Sequence, residues 1–158
     1  MQLRPLLLAA ALAAFAPAFA ADTPGTDPNV RAPSVSDRLA NARKALAVKD
    51  FSGAQRELFV AVREDPRNAD VHNLLGYSYR KRANPDITKA FEHYYTALRI
   101  DPRHKGAHEY IGQAYLMEKK PLQAEQHLAE LQKICGGTAC EEYQDLAKAI
   151  AEFKAAAK

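Results

Sequence analysis

The stretch from Asn73 to His104, NLLGYSYRKRANPDITKAFEHYYTALRIDPRH, decides the fold. It holds a Leu75-Gly76 pair, Tyr79 three residues after the glycine, then Ala90, Tyr94 and Ala97, and it closes on Asp101-Pro102. One step further, Glu109 to Ile134, EYIGQAYLMEKKPLQAEQHLAELQKI, keeps the rhythm with Ile111-Gly112, Tyr115, Ala124, Leu128 and Leu131. An earlier phrase, AQRELFVAVREDP, supplies Ala54, Leu58, Ala61 and Pro66. A step of four and then one of three places each leading alanine, its large partner and the next apolar residue on one helical face. The leading alanines stand 36 and then 34 residues apart, the period of two-helix units stacked into an array.

In these residues the chain resembles the tetratricopeptide repeat family, whose pattern is Leu-Gly and Tyr in helix A, Ala, Phe and Ala in helix B, and a closing Pro. The resemblance implies an all-α fold, a right-handed α-solenoid of three helix-turn-helix units at 35–68, 69–104 and 105–138. The middle unit matches at Leu75, Gly76, Tyr79, Ala90, Tyr94, Ala97 and Pro102, with two extra residues in RANPDIT. Gly136 replaces the closing Pro of the third unit, and the first has Ala42 and Ala45 where Gly and Tyr are usual. Gly76 and Gly112, lacking Cβ, let helix B approach helix A. Tyr79 and Tyr115 fill the wedge between units, while Pro66 and Pro102 open the next turn.

Beyond the third unit, Tyr143, Leu146, Ile150 and Phe153 form one apolar stripe. Residues 140–155 therefore read as a helix that caps the open stacking face. At the other end, MQLRPLLLAAALAAFAPAFA has a basic start, an apolar run broken by Pro17, and Ala18-Phe19-Ala20 at its close. This pattern predicts an export signal over 1–20, cleaved before Ala21. The run is short for a membrane-spanning anchor, so no stable membrane insertion is expected, and a periplasmic location is. Residues 21–34, rich in Pro, Thr, Asp and Ser, read as a flexible linker. The mature chain carries 21 basic and 19 acidic side chains, a balance that does not suggest nucleic acid as a partner.

Cys135 and Cys140 flank Gly136-Gly137-Thr138-Ala139. Two cysteines in an exported chain are most simply a disulfide. Five residues along an unbroken helix rise about 7.5 Å, beyond the roughly 7 Å limit for bridged Cα atoms, so the helix has to break at the glycines. The alternative is a metal-binding or redox protein using Cys135, Cys140 and the histidines, with His104 and His108 four residues apart. Against it, His72 and His108 recur in phase, as do His93 and His127, the habit of structural residues. No nucleophile elbow, zinc-protease helix or phosphate loop occurs. An enzyme is not expected, nor a cofactor.

What the resemblance implies instead is a protein or peptide partner held in a concave groove lined by helix A of each unit, at its second, fifth, ninth, twelfth and thirteenth positions. Carried over, these are Leu39, Arg43 and Leu46 in the first unit, Asp70, Asn73, Tyr77, Arg80 and Lys81 in the second, and Glu109, Gln113, Leu116 and Met117 in the third. Asn73 is suited to a peptide backbone, Arg80 and Lys81 to carboxylates, and Tyr77, Leu116 and Met117 to apolar anchorage. The basic run Arg80-Lys81-Arg82 also fits a solvated helix end, and so short a groove leaves self-association open.

Overall fold

A computed structural model describes residues 31–157 of the chain. The expected export signal and the linker up to residue 30 lie outside the described residues. Seven helices make up the folded unit that begins at Pro33, and no strand occurs among the described residues. They are α1 (Val35–Ala47), α2 (Phe51–Glu64), α3 (Ala69–Lys81), α4 (Ile87–Ile100), α5 (Lys105–Met117), α6 (Pro121–Cys135) and α7 (Glu141–Ala156).

Each boundary has a local cause. Ser34 and Asp37 exchange hydrogen bonds in a capping box that starts α1. Asp50, Asn68 and Asp86 accept the backbone N–H three residues on, at Gly53, Val71 and Lys89. Pro121 stands at the start of α6, where its missing donor is harmless. Gly136 ends α6 in the left-handed conformation, φ 67°, which glycine adopts without a Cβ clash. Pro66 and Pro102 lie outside the helices, in two equivalent tight turns. There Asn68 N–H returns to the Asp65 carbonyl (3.3 Å) and His104 N–H to that of Asp101 (3.1 Å). Proline's fixed φ suits the second position of such a turn.

The helices pair as α1 with α2, α3 with α4 and α5 with α6, while α1, α3 and α5 also touch one another in succession. The result is an α-solenoid of stacked helix pairs. Its apolar side chains fall into three successive clusters, built around Leu58 and Leu75, then Tyr94 and Ile111, then Leu131 and Leu146. Ala54, Ala90 and Ala124 are fully buried.

The two signature glycines do different work. A Cβ on Gly76 would lie 2.5 Å from a ring carbon of Tyr94 and 3.0 Å from the Ala90 carbonyl oxygen, so this glycine does admit helix B. On Gly112 the nearest atoms belong to Leu146 of α7, at 2.5 Å. Here the tightest contact comes from the final helix, while α6 packs along α5 as the unit's helix B. Leu128 is shorter than Tyr94, and the final helix supplies the atoms that fill the space. That helix packs on both α5 and α6 with Leu146 and Ile150 buried and Tyr143 and Phe153 against them.

Candidate functional site

The A helices α1, α3 and α5 share one continuous surface, tied across by side chains. Asp70 of α3 accepts from Arg43 of α1 (2.9 Å) and bonds His104 Nε2 at the start of α5 (3.0 Å). The His104 hydrogen bond, assisted by Arg43, holds the Asp70 carboxyl below the usual carboxylate range. Deeper in, the rings of Tyr77 and Tyr110 meet with centroids 5.0 Å apart. The Arg80 guanidinium lies 5.5 Å from the first centroid and 5.3 Å from the second, a cation held against two π faces.

Arg80 Nε donates to the hydroxyl of Tyr94 (3.1 Å), itself fully buried. Burial pushes the Tyr94 phenol up to about 12, against the opposing pull of Arg80. Arg80 is only 5% exposed, so it is no solvated helix end; Arg43, Lys81 and Met117 are the exposed members of the set. Arg82 caps α3 and pairs with Asp86. Glu109 is also buried and accepts from Gln113 (2.7 Å). Burial, reinforced by Asp145, pushes its carboxyl up to about 7 in spite of Arg80.

Two hollows flank Tyr77. One of about 320 Å³ is lined by Arg43, Leu46, Ala47, Leu74, Tyr77 and Tyr110, and one of about 400 Å³ by Leu46, Ala47, Lys49, Phe51, Tyr77 and Lys81. Both carry basic and apolar groups and no acidic one. A larger hollow of about 580 Å³ lies on α4 and the α5–α6 turn, around Phe91 and Tyr95. Among the described residues, the two buried side-chain atoms without a hydrogen-bond partner are Asn73 Oδ1 and Arg80 Nη2, both on α3 and neither among the residues lining these three hollows.

The sequence-predicted groove residues therefore divide. Arg43, Tyr77 and Lys81 line the hollows, Arg80 is buried against the Tyr77 and Tyr110 rings, and Asn73 sits one turn before Tyr77 on α3. Glu109 and Gln113 pair with each other, Leu116 is buried against the last cluster, and Met117 lies exposed at the end of α5. Sequence reasoning missed Tyr110 and His104. Tyr110 adjoins an assigned position, and its role shows only when α5 is laid on α3.

His104 and His108 do not face each other: His104 caps α5 and bonds Asp70, while His108 turns to His127. The sulfurs of Cys135 and Cys140 are placed at bonding distance, with their Cα atoms 6.1 Å apart. These two and Glu142 are the one trio of potential metal ligands lying close together among the described residues. Sulfurs bonded to each other offer no thiolate to a metal.

Helix pairs stacked in register, with an unbroken A-helix face, define a tetratricopeptide-like helical repeat protein. No protein-family model matches the chain, and no curated protein does. Solved structures do match. One is the crystal structure of the Yersinia enterocolitica type III secretion translocator chaperone SycD in an alternative dimer. It superposes with a TM-score of 0.65 at 14% identity, covering 81% of this chain and 94% of that one. At that identity the likeness speaks for the fold.

Proposed function

We propose that the chain is a binding scaffold whose A-helix groove holds a segment of a partner protein, with no bond made or broken. The observation that carries this reading is the pair of unpartnered buried atoms. A buried polar atom without a partner costs about 1–3 kcal/mol, and both such atoms lie on α3, the helix that carries Tyr77. A partner supplying a carboxylate to Arg80 Nη2 and a backbone N–H to Asn73 Oδ1 would satisfy both. An adjacent apolar side chain would fill a hollow, and Lys49 and Lys81 would favour an acidic segment. That SycD is a chaperone is consistent with a protein partner. Export to the periplasm fits the N-terminal pattern, and a Cys135–Cys140 disulfide fits an oxidising compartment.

Selection from a displayed random-peptide library tests the reading, followed by affinity measurements on Tyr77→Ala, Arg80→Met and Lys81→Glu. Met keeps the stem of Arg80 and removes a buried charge, at the cost of the donor to the Tyr94 hydroxyl, so its helicity and urea midpoint are measured beside its affinity. The expected peptides combine an acidic with an apolar residue, and each variant binds them about tenfold more weakly with helicity intact. Equal binding by all three variants, or a selection yielding nothing, would remove the groove assignment. Sedimentation of the protein alone shows whether a second copy takes the same place.

A further inference from the structure

We propose that the pair His108–His127 is a binding site for a borderline divalent cation such as Zn²⁺, separate from the groove. His108 Nε2 lies 3.1 Å from the Pro102 carbonyl, which can only accept, so Nε2 carries the proton and Nδ1 carries the lone pair. His127 Nδ1 stands 3.0 Å from that lone pair. A histidine whose remote N–H is held by a backbone carbonyl is in the usual arrangement of a metal-ligating imidazole. With bonds of 2.0–2.1 Å, two nitrogens 3.0 Å apart subtend about 94° at the metal. Widening their separation by about 0.3 Å reaches the tetrahedral angle. Binding needs only that the His127 proton move from Nδ1 to Nε2, with none released. Water completes the coordination, and Glu130, outside ligand reach of the pair while it bridges Lys133, joins on leaving that contact.

The molecule contains its own control. His72 and His93 form the same pair one repeat earlier, Nδ1 to Nδ1 at 3.2 Å, with His72 Nε2 on the Pro66 carbonyl at 3.1 Å. Tyr79 stacks on His93 as Tyr115 stacks on His127. The two pairs differ a little in ring tilt, 34° against 50°, and chiefly in the surrounding charge. Lys89, four residues before His93, acts on that imidazole, and Lys89 and Arg82 both lie over the Tyr79 ring. The equivalent of Lys89 is Gln123, and the equivalent of Thr96 is Glu130. Glu130, three residues past His127 and on the same helical side, is close enough for its charge to act on His127. It now bridges exposed Lys133 (2.7 Å), a contact worth little and easily given up. A cation is therefore repelled from the first pair and drawn to the second.

The experiment is a Zn²⁺ titration of untagged, oxidised protein at pH 7.5, followed by calorimetry and by NMR of the histidine ring protons. One equivalent should bind, moving the ring signals of His108 and His127 and leaving those of His72 and His93. His127→Gln should weaken binding about tenfold or more. Glu130→Gln should weaken it less, and His93→Gln should leave it within twofold. Zn²⁺ that moves neither ring pair of the wild type, moves both alike, or binds His127→Gln undiminished would overturn the site. The wild-type spectra decide even if a variant fails to fold.

Discussion

Gly76→Ala isolates the contact on which the middle repeat is built. In an exposed helix this change stabilises by about 1 kcal/mol, because alanine loses less backbone entropy on folding. Here the new Cβ would stand 2.5 and 2.6 Å from two ring carbons of Tyr94 and 3.0 Å from the Ala90 carbonyl. Ordinary carbon contacts are about 3.5–4.0 Å, so α3 and α4 must part by about 1 Å. The ring cannot yield instead, since its hydroxyl is held by Arg80 and its face rests on Tyr110. Overpacking of this kind costs about 1–3 kcal/mol, so against the gain of about 1 kcal/mol the net loss should be about 0–2 kcal/mol. The cause is testable in a Tyr94→Leu background, where the ring is gone and a side chain like Leu128 stands in its place. Tyr94→Leu alone should cost about 2–4 kcal/mol, but adding Gly76→Ala to it should be neutral or stabilising. Urea unfolding followed by far-ultraviolet circular dichroism gives both legs of the cycle, with a coupling of about 1.5 kcal/mol or more. A midpoint raised by Gly76→Ala alone, or the same change in both backgrounds, would refute the close-approach argument.

Acidification should unfold the chain through the histidine pairs. Burial, and the neighbouring imidazole of each pair, lower His93 and His127 from 6.5 to about 4. The unfolded chain therefore takes up protons first, and the stability these groups confer is full above pH 6.5 and lost between there and pH 4. Both rings are partly exposed, so the discounted loss is about 1–2 kcal/mol each, read as a falling urea midpoint that His93→Gln and His127→Gln flatten. Glu109 has the opposite sign. Its folded value, about 7, lies above 4.5, so its contribution is present below pH 4.5 and lost by pH 7, and Glu109→Gln should stabilise at pH 8 but not at pH 4. With the Cys135–Cys140 bond formed, reduction should lower stability by about 2 kcal/mol, the chain-entropy value for so short a loop. Protease should then clip α7 before the rest; equal midpoints and cleavage with and without reductant would show that the bond secures nothing.

Much of the fold was legible because its determinants recur. Ala54, Ala90 and Ala124, the two Leu/Ile-Gly pairs and the apolar stripe of α7 each follow from how near one helix can come to the next, and spacing along the chain records that directly. The groove was legible only as a set of positions. Arg80 reads as one of three basic residues at a helix end; it is buried because Tyr77, Tyr94 and Tyr110 enclose it from three different helices, and no spacing along the chain reports that meeting. His104 and His108 invited pairing by their separation of four. But the free N–H of Ala107 claims the His104 ring as a cap, and His127 lies across the unit from His108. Gly112 kept its place in the pattern, and its tightest neighbour is Leu146 of the final helix, which no repeat spacing announces.

Comparing equivalent positions separates what holds the array together from what distinguishes it. Arg80 corresponds to Leu46 in the first unit and Leu116 in the third, and Asn73 to Leu39 and Glu109. If these side chains served stacking, they would recur as His72 and His108 do, since each interface poses the same packing problem. Instead the two unpartnered polar atoms sit where the repeats disagree. The same comparison treats the histidine pairs differently from their surroundings. The pairs recur and join helix A, helix B and the preceding turn, while Lys89 against Gln123 and Thr96 against Glu130 do not. Structure accounts for the recurring pair. The differing charges around it have no packing role to explain them, and they decide which pair can accept a cation.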